Sequence, residues 1–197
     1  MQFFTMIFMV ALPVAFLVIC CYINKDKVGA LNKLTEFGGI ANSYLFPSTS
    51  GEYKGARFTV SLTHPRYCTP LLKVNFYKGY FVNLMIFNAK VYSFTRFIKK
   101  TGLFNPLKTG DEAFDNDTLI FCSSRELGKG YLNTPEIKQA VKELFDEGFE
   151  RLFINTQKIF IQKQNYSLTL DLDKEHFEGI LERLNLLSKG IALSKVN

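Results

Sequence analysis

The feature that most constrains this chain is a run of 21 residues without a charge at positions 3–23, FFTMIFMVALPVAFLVICCYI. As a helix the run would be roughly 31 Å long, which is about the thickness of the hydrocarbon core of a bilayer. Pro13 interrupts it, and membrane helices tolerate an internal proline better than buried helices of soluble domains do. The run therefore predicts a transmembrane anchor over residues 1–23.

A cleaved signal peptide is the other interpretation of this run. Signal peptides carry Lys or Arg before a shorter apolar segment and have small residues at the cleavage site directly after it. Here only Met1 and Gln2 precede the run, and a charged stretch separates it from the small residues at 28–30. Neither Cys20 nor Cys21 follows a small residue, as a lipoprotein cysteine would. We therefore expect an uncleaved, single-pass anchor.

Basic residues after the run set its expected orientation. Lys25, Lys27 and Lys33 flank its C-terminal end, and no Lys or Arg precedes it. Because the cytoplasmic flanks of membrane helices are enriched in Lys and Arg, these residues predict a cytoplasmic C-terminal domain. Residues 24–110 carry a net charge of +10 and residues 111–197 one of −4. The basic half suits either attraction to an anionic leaflet or simple solubility, and the sequence leaves both open.

The rest of the chain predicts an α+β domain behind a juxtamembrane connector. The connector, residues 24–51, starts as a continuation of the anchor helix and is then broken by glycines and a proline. Over 52–197, alternation such as that of Phe58, Val60 and Leu62 predicts mostly antiparallel strands in meander order, covered by two helices. The predicted strands are 56–62, 72–76, 80–87, 90–98, 118–122, 151–154, 158–162 and 166–171.

The two helices have clear start signals. Asn133 or Thr134 can cap the first helix, Pro135 suits its first position, and Gly148 ends it. The second helix starts near Asp173. Its apolar stripe consists of Phe177, Ile180, Leu181, Leu184 and Leu187.

Few groups in the sequence suit catalysis. Outside the anchor the thiols are Cys68 and Cys122, and the candidate bases are His64 and His176. No family signature joins them, and a lone Cys is usually an inert, buried residue. We expect no catalytic residue, cofactor or metal, and a thiol-dependent enzyme using Cys68 or Cys122 is a third alternative. We expect His176 to be a solvated surface group.

Two segments imitate ligand-binding motifs without completing them. The acidic stretch 111–117 lacks the glycine and the final glutamate of a calcium loop, so it predicts a charged hairpin loop. Residues 128–130, Gly-Lys-Gly, lack the GK[ST] ending of a phosphate-binding loop, so they predict a flexible loop.

Arg96, Lys99 and Lys100 lie among aromatic residues, a pattern typical of proteins that bind single-stranded nucleic acid. The chain holds 20 Phe and nine Tyr in 197 residues, so such neighbours also arise by chance in a Phe-rich sheet. We therefore expect no nucleic-acid binding and treat these three cations as candidate surface contacts.

Three short segments follow the anchor in a fixed order: GEYKGAR at 51–57, FD at 114–115 and LNTPE at 132–136. Together they resemble a loosely defined group of bacterial single-pass membrane-anchored proteins, over most of residues 50–190. That group has no assigned activity. The resemblance therefore implies an anchored domain of bacterial type and no functional residues.

These observations predict a membrane-tethered, non-enzymatic interaction domain that binds a partner protein or organises a membrane complex at the cytoplasmic face. The alternative is a small accessory subunit of a larger membrane assembly. Lys25, Lys27 and Lys33 would lie at the leaflet surface, which makes anionic lipid a further candidate partner.

Overall fold

The computed structural model describes residues 2–38, 40–42, 45–63, 69–91 and 105–190. A long N-terminal helix leads into an α+β domain built on one antiparallel sheet. The helices are α1 (Gln2–Asn32), the 3-10 helix η1 (Lys33–Phe37), α2 (Glu112–Asp117), α3 (Arg125–Leu132), α4 (Pro135–Asp146) and α5 (Lys174–Lys189). The strands are β1 (Ile40–Asn42), β2 (Ser48–Tyr53), β3 (Ala56–Thr63), β4 (Leu71–Phe76), β5 (Leu84–Asn88), β6 (Thr118–Cys122), β7 (Phe149–Ile154) and β8 (Ile159–Gln164).

The described strands form one sheet in the order β1-β2-β3-β4-β8-β7-β5-β6, and all their pairings are antiparallel. The predicted meander is correct only as far as β4. After β4, the β7–β8 hairpin inserts between β4 and β5, so that Val74 pairs with Ile161 and Ile86 with Leu152. All four of these side chains are buried, and this continuous apolar face is the physical reason for the insertion.

One face of the sheet carries the core. Phe58, Val60 and Leu62 are buried on β3, as the alternation predicted, and the even-numbered residues of β4 continue the same face. Helices α4 and α5 contact this face and each other. The predicted apolar stripe of α5 is confirmed, because all five of its side chains are fully buried.

Local capping fixes the starts of both long helices where the sequence predicted them. Thr134 is the N-cap of α4 and Pro135 is its first residue. The side chain of Asp173 accepts a hydrogen bond from the backbone of His176 at the start of α5. Gly148 follows α4 with a φ of 92°, a conformation that glycine adopts without steric cost.

Three local predictions were wrong. Residues 128–130 belong to α3, because the side chain of Ser124 caps that helix. Residues 112–117 form α2 instead of a hairpin loop, because Asp111 caps it in the same way. Residues 166–171 form turns instead of a strand, and two helices beyond the predicted pair, α2 and α3, flank the sheet. The predicted strand 90–98 lies outside the described residues after Val91.

Helix α1 continues beyond the apolar run and ends in the core of the domain. Ala30, Leu31 and Leu34 are buried and belong to the same core cluster as the sheet residues. The Phe37 ring lies edge-on to the rings of Tyr53 and Phe58, with centroids 6.2 and 6.0 Å away. The C-terminal end of α1 and η1 are therefore packed parts of the domain.

Candidate functional site

A groove of about 340 Å³ lies between α2, α4 and the end of β5. We call it the α2–α4 groove. Its lining combines apolar side chains with three lysines and three aspartates. The lining residues are Asn88, Lys90, Asp111, Ala113, Phe114, Asp117, Thr118, Asn133, Pro135, Lys138, Gln139, Lys142, Phe145 and Asp146.

A buried asparagine fixes the floor of the groove. Asn88, only 3% exposed, donates from Nδ2 to the carbonyl oxygens of Phe145 and Phe149 at 3.2 and 3.3 Å. Its Oδ1 accepts from the backbone N–H of Lys90 at 3.0 Å. Because a buried amide needs such partners, Asn88 ties the end of β5 to the end of α4.

Two aspartates hold α2 against the groove. The Asp111 side chain accepts a hydrogen bond from the Phe114 backbone at 3.1 Å and so caps the helix. The buried carboxylate of Asp115 accepts from the backbone N–H groups of Thr109 and Gly110. These contacts make the wall formed by α2 a fixed surface even though the helix has six residues.

Ion pairs line the rim of the groove. Lys138 Nζ lies 3.2 Å from Asp111, and Lys90 Nζ lies 2.7 Å from Asp117. The hydrogen bonds from Phe114 and Lys138 hold the pKa of Asp111 below its usual value, and the hydrogen bond to Asp117 raises the pKa of Lys90. Both shifts favour the charged forms of Asp111 and Lys90.

This arrangement suits binding better than catalysis. The groove lining contains no thiol and no imidazole, and carboxylates that already pair with lysines are weak general bases. Fixed charges of both signs around the rings of Phe114 and Phe145 fit a ligand that carries charges and an apolar group. Among the described residues, no cluster of His, Cys, Asp and Glu could hold a metal ion.

A second charged cluster lies between α4, β8 and α5. Arg183 pairs with Glu143 at 2.7 Å and with Glu147 at 2.8 Å. The other oxygen of Glu147 has no hydrogen-bond partner among the described residues and lies 3.7 Å from His176 Nε2. Burial raises the pKa of Glu147 although Arg183 and His176 oppose the shift. The cluster clamps α4 to α5, and His176 is a half-buried member of it, where the sequence predicted a solvated group.

In the described part of the chain, no candidate catalytic base contacts the thiol of Cys122. Cys122 is half-buried at the end of β6, and its thiol donates to the Ser124 carbonyl. No contact joins it to His176 among the described residues. Cys68 and His64 lie outside those residues.

The predicted basic residues fall into two groups. Lys25 and Lys33 are exposed on α1 and η1, whereas Lys27 is half-buried and donates to the Asn24 side chain at 2.9 Å. Arg96, Lys99 and Lys100 lie outside the described residues.

The described side chains of α1 before Ile23 are apolar, and all of them except the half-buried Cys20 face solvent. Within the described part of the chain, no helix has both the length and the hydropathy that crossing a membrane requires. The large side chains exposed on this part of α1 are Met9, Leu12, Val14, Phe16, Leu17, Val18, Ile19, Tyr22 and Ile23.

The sequence did not reveal the α2–α4 groove. Its residues come from three separate segments, 88–90, 111–118 and 133–146, which meet because β5 pairs with β6. One local signal was available: Asp111 stands three residues before Phe114 and directly before Glu112, an N-terminal capping pattern.

Comparison with known proteins gives a distant structural likeness. No protein-family model matches the chain, and no curated protein matches it. Among solved structures, the chain is similar to the crystal structure of the mycobacterial trehalose monomycolate transport factor A, TtfA, with 8% sequence identity and a TM-score of 0.45. The similarity covers 75% of this chain and 74% of that chain. A likeness at this level carries no functional conclusion for the present chain.

Proposed function

We propose that this chain is a membrane-tethered, non-enzymatic interaction domain that binds a partner protein at the cytoplasmic face through the α2–α4 groove. The observation that carries the proposal is the contrast along α1. The helix exposes large apolar side chains as far as Ile23, whereas Ala30 and Leu31 near its end are buried in the domain core. Water does not stabilise such an exposed apolar surface, whereas a bilayer does.

The tether rests on the complete apolar run of the sequence. Residues 3–23 carry no charge, and a helix of this length matches the roughly 20 residues that a bilayer core requires. Within the run, the structure describes the side chains of Met9 and of residues 11–23. This described part is shorter than the segment that a bilayer core requires. The resemblance of the sequence to bacterial single-pass membrane-anchored proteins also favours the proposed tether.

The orientation rests on the lysines that follow the run. The exposed Lys25 and Lys33 are free to meet phosphate headgroups, and partial burial lowers the pKa of Lys27. Residues 1–24 contain no Lys or Arg, so the positive-inside bias supports a cytoplasmic position for the domain.

The partner site rests on the α2–α4 groove. Lys142 is exposed on the groove wall and forms no ion pair with a described residue, so it can meet a carboxylate of a partner. The rings of Phe114 and Phe145 offer a pocket for an apolar side chain of the same partner. A polypeptide segment with an acidic residue beside an apolar one fits both features.

A tagged full-length chain in its native membranes tests the proposal. The membranes are washed with alkaline carbonate, solubilised in detergent, and the chain is captured together with its partners. We expect the chain to resist the wash. We expect a partner that Lys142→Glu loses and that Lys78→Glu, a matched change of an exposed lysine outside the groove, retains.

Each failure has its own meaning. Release of the chain by carbonate would contradict the tether. Equal capture by Lys142→Glu and Lys78→Glu would contradict the groove as the partner site. A stoichiometric set of membrane proteins, captured by both variants and needed for stability of the chain, would favour the accessory subunit.

A further inference from the structure

We infer that a pocket between residues 105–108 and α3 is a binding site for a phosphate group. The pocket has a volume of about 230 Å³, and it is lined by residues 105–108 and by Arg125, Glu126 and Lys129. None of these residues lines the α2–α4 groove. The inference is therefore independent of the proposed partner site and of the membrane tether.

The pocket gathers positive charge that no described carboxylate compensates. Lys108, Arg125 and Lys129 line it, and none of the three forms an ion pair with a described residue. Exposed lysines elsewhere, such as Lys54 and Lys90, each pair with a carboxylate. Three unpaired cations around one concave surface favour an anionic ligand.

The charge of the lining fits an anion with two negative charges. Glu126 is the carboxylate of the pocket, so three cations and one carboxylate give the lining a net charge of +2. A phosphate monoester carries about −1.5 to −2 charges at neutral pH, whereas a single carboxylate carries −1. Phosphate therefore matches the lining better than a carboxylate does.

Arg125 is held in place for this contact. Its Nη2 donates a hydrogen bond to the carbonyl oxygen of Asn105 at 3.1 Å. A guanidinium has five N–H donors, so this bond leaves others for a ligand. Because the guanidinium fork matches two phosphate oxygens, Arg125 is the main contact, and Lys108 and Lys129 add point charges.

Close packing fixes the two walls of the pocket. Leu107 is 4% exposed, and its backbone N–H donates to the carbonyl oxygen of Ile120 on β6 at 2.8 Å. A Cβ atom at Gly128 would lie 3.0 Å from Leu107 Cδ2, so this glycine lets α3 pack directly against that wall. The cations therefore project from a preformed surface, unlike a phosphate-binding loop, which uses its backbone N–H groups.

Isothermal titration calorimetry of the full chain in a neutral detergent, with inorganic phosphate as the ligand, tests the inference. We expect one saturable site. Arg125→Gln removes a charge-assisted contact and should weaken phosphate binding at least about tenfold. Lys129→Gln should also weaken it, and Glu126→Gln should strengthen it. Lys78→Gln, a matched change of an exposed lysine outside the pocket, should bind phosphate like the wild type.

The source of the phosphate group is tested in mixed micelles. One preparation contains phosphatidic acid, whose headgroup is a phosphate monoester, and the other contains phosphatidylglycerol, an anionic lipid whose phosphate is a diester. Loss of inorganic phosphate binding with phosphatidic acid alone identifies a lipid headgroup as the ligand. Equal binding in the two preparations identifies a soluble phosphate compound.

Two results would overturn the phosphate site. One is the absence of saturable phosphate binding by the wild type, and the other is equal binding by Arg125→Gln, Lys129→Gln and Lys78→Gln. Lys129→Gln leaves the bond between Arg125 and Asn105 intact, so the comparison holds even if Arg125→Gln disturbs the fold. Partner capture through Lys142 is measured separately, so failure of the phosphate site and failure of the proposed function are distinguishable.

Discussion

At the scale of single residues, Gly79 holds two loops in contact. A Cβ atom at this position would lie 1.8 Å from the Asn155 carbonyl oxygen and 2.6 Å from the carbonyl carbon of Thr156. That same Asn155 oxygen accepts the backbone N–H of Tyr80 at 2.9 Å. Glycine is needed here because another backbone approaches too closely for any side chain.

We therefore expect Gly79→Ala to lower the free energy of unfolding by about 1–3 kcal/mol. Gly179→Ala is the matched control, since its Cβ would meet only the end of Arg183 at 3.5 Å inside a helix. This control should be neutral or stabilising by up to about 1 kcal/mol. Urea unfolding of both variants in detergent measures the difference, and equal stabilities would show that the two loops are not in tight contact.

Asp111 gives the fold a dependence on pH. Its pKa is lowered in the folded state, first by the Phe114 N–H and then by Lys138. Its stabilising contribution is therefore complete above the usual pKa of an aspartate and is lost as the pH falls through the lowered value. Asp111→Asn should destabilise the chain at neutral pH and make no difference in strong acid.

The control for this change is Glu112→Gln, which removes a charge from the next residue without touching the cap or Lys138. Unfolding free energies of the wild type and both variants, measured from about pH 7 to about pH 2, give the comparison. A destabilisation by Asp111→Asn that stays constant over this range would show that the ion pair with Lys138 contributes nothing.

At the scale of elements, η1 attaches α1 to the domain through Leu34. This side chain is fully buried in the core cluster. Leu34→Ala should lower the free energy of unfolding by about 2–5 kcal/mol, because it removes buried surface and leaves a cavity. Leu12→Ala, at a residue of α1 that is 59% exposed, is the control and should leave the stability of the domain unchanged. Equal effects would mean that η1 is not part of the core.

Elements with local signals were predictable from the sequence. The strand at Phe58 follows from period-two alternation, and the starts of α4 and α5 follow from Pro135 and Asp173.

Helix α3 was missed because Gly128 looked like a flexible residue. In the structure Gly128 is buried, and its Cβ would lie 2.6 Å from Cys122 Sγ. The glycine permits close packing of a helix, a role that depends on a partner 6 residues away in the sequence.

The segment 166–171 was missed for a related reason. Its alternation resembles a strand, but the Asp171 carboxylate accepts the backbone N–H of Ser167 at 2.7 Å. Lys163 then pairs with Asp171 at 2.6 Å. A side chain that forms a hydrogen bond with the nearby backbone favours a turn over a strand. The sequence pattern alone does not show which hydrogen-bond donor such a carboxylate will contact.

At the scale of the whole molecule, the pairing of distant strands was not predictable. Leu72 pairs with Lys163, which is 91 residues further along the chain, and no local pattern encodes that choice. The α2–α4 groove likewise depends on strand pairing, because its three segments meet only after β5 has paired with β6. The fold class and the helix starts came from local chemistry, whereas the site came from topology.

We propose that α1 is one continuous helix, inserted in a bilayer at its apolar end and packed in the domain core at Leu31. Hydrogen exchange of the full chain in lipid nanodiscs tests it most directly. We predict slow exchange in one unbroken stretch from residue 11 to residue 31. Rapid exchange over residues 11–23 would contradict insertion, and slow exchange there with rapid exchange over 24–30 would contradict the rigid junction.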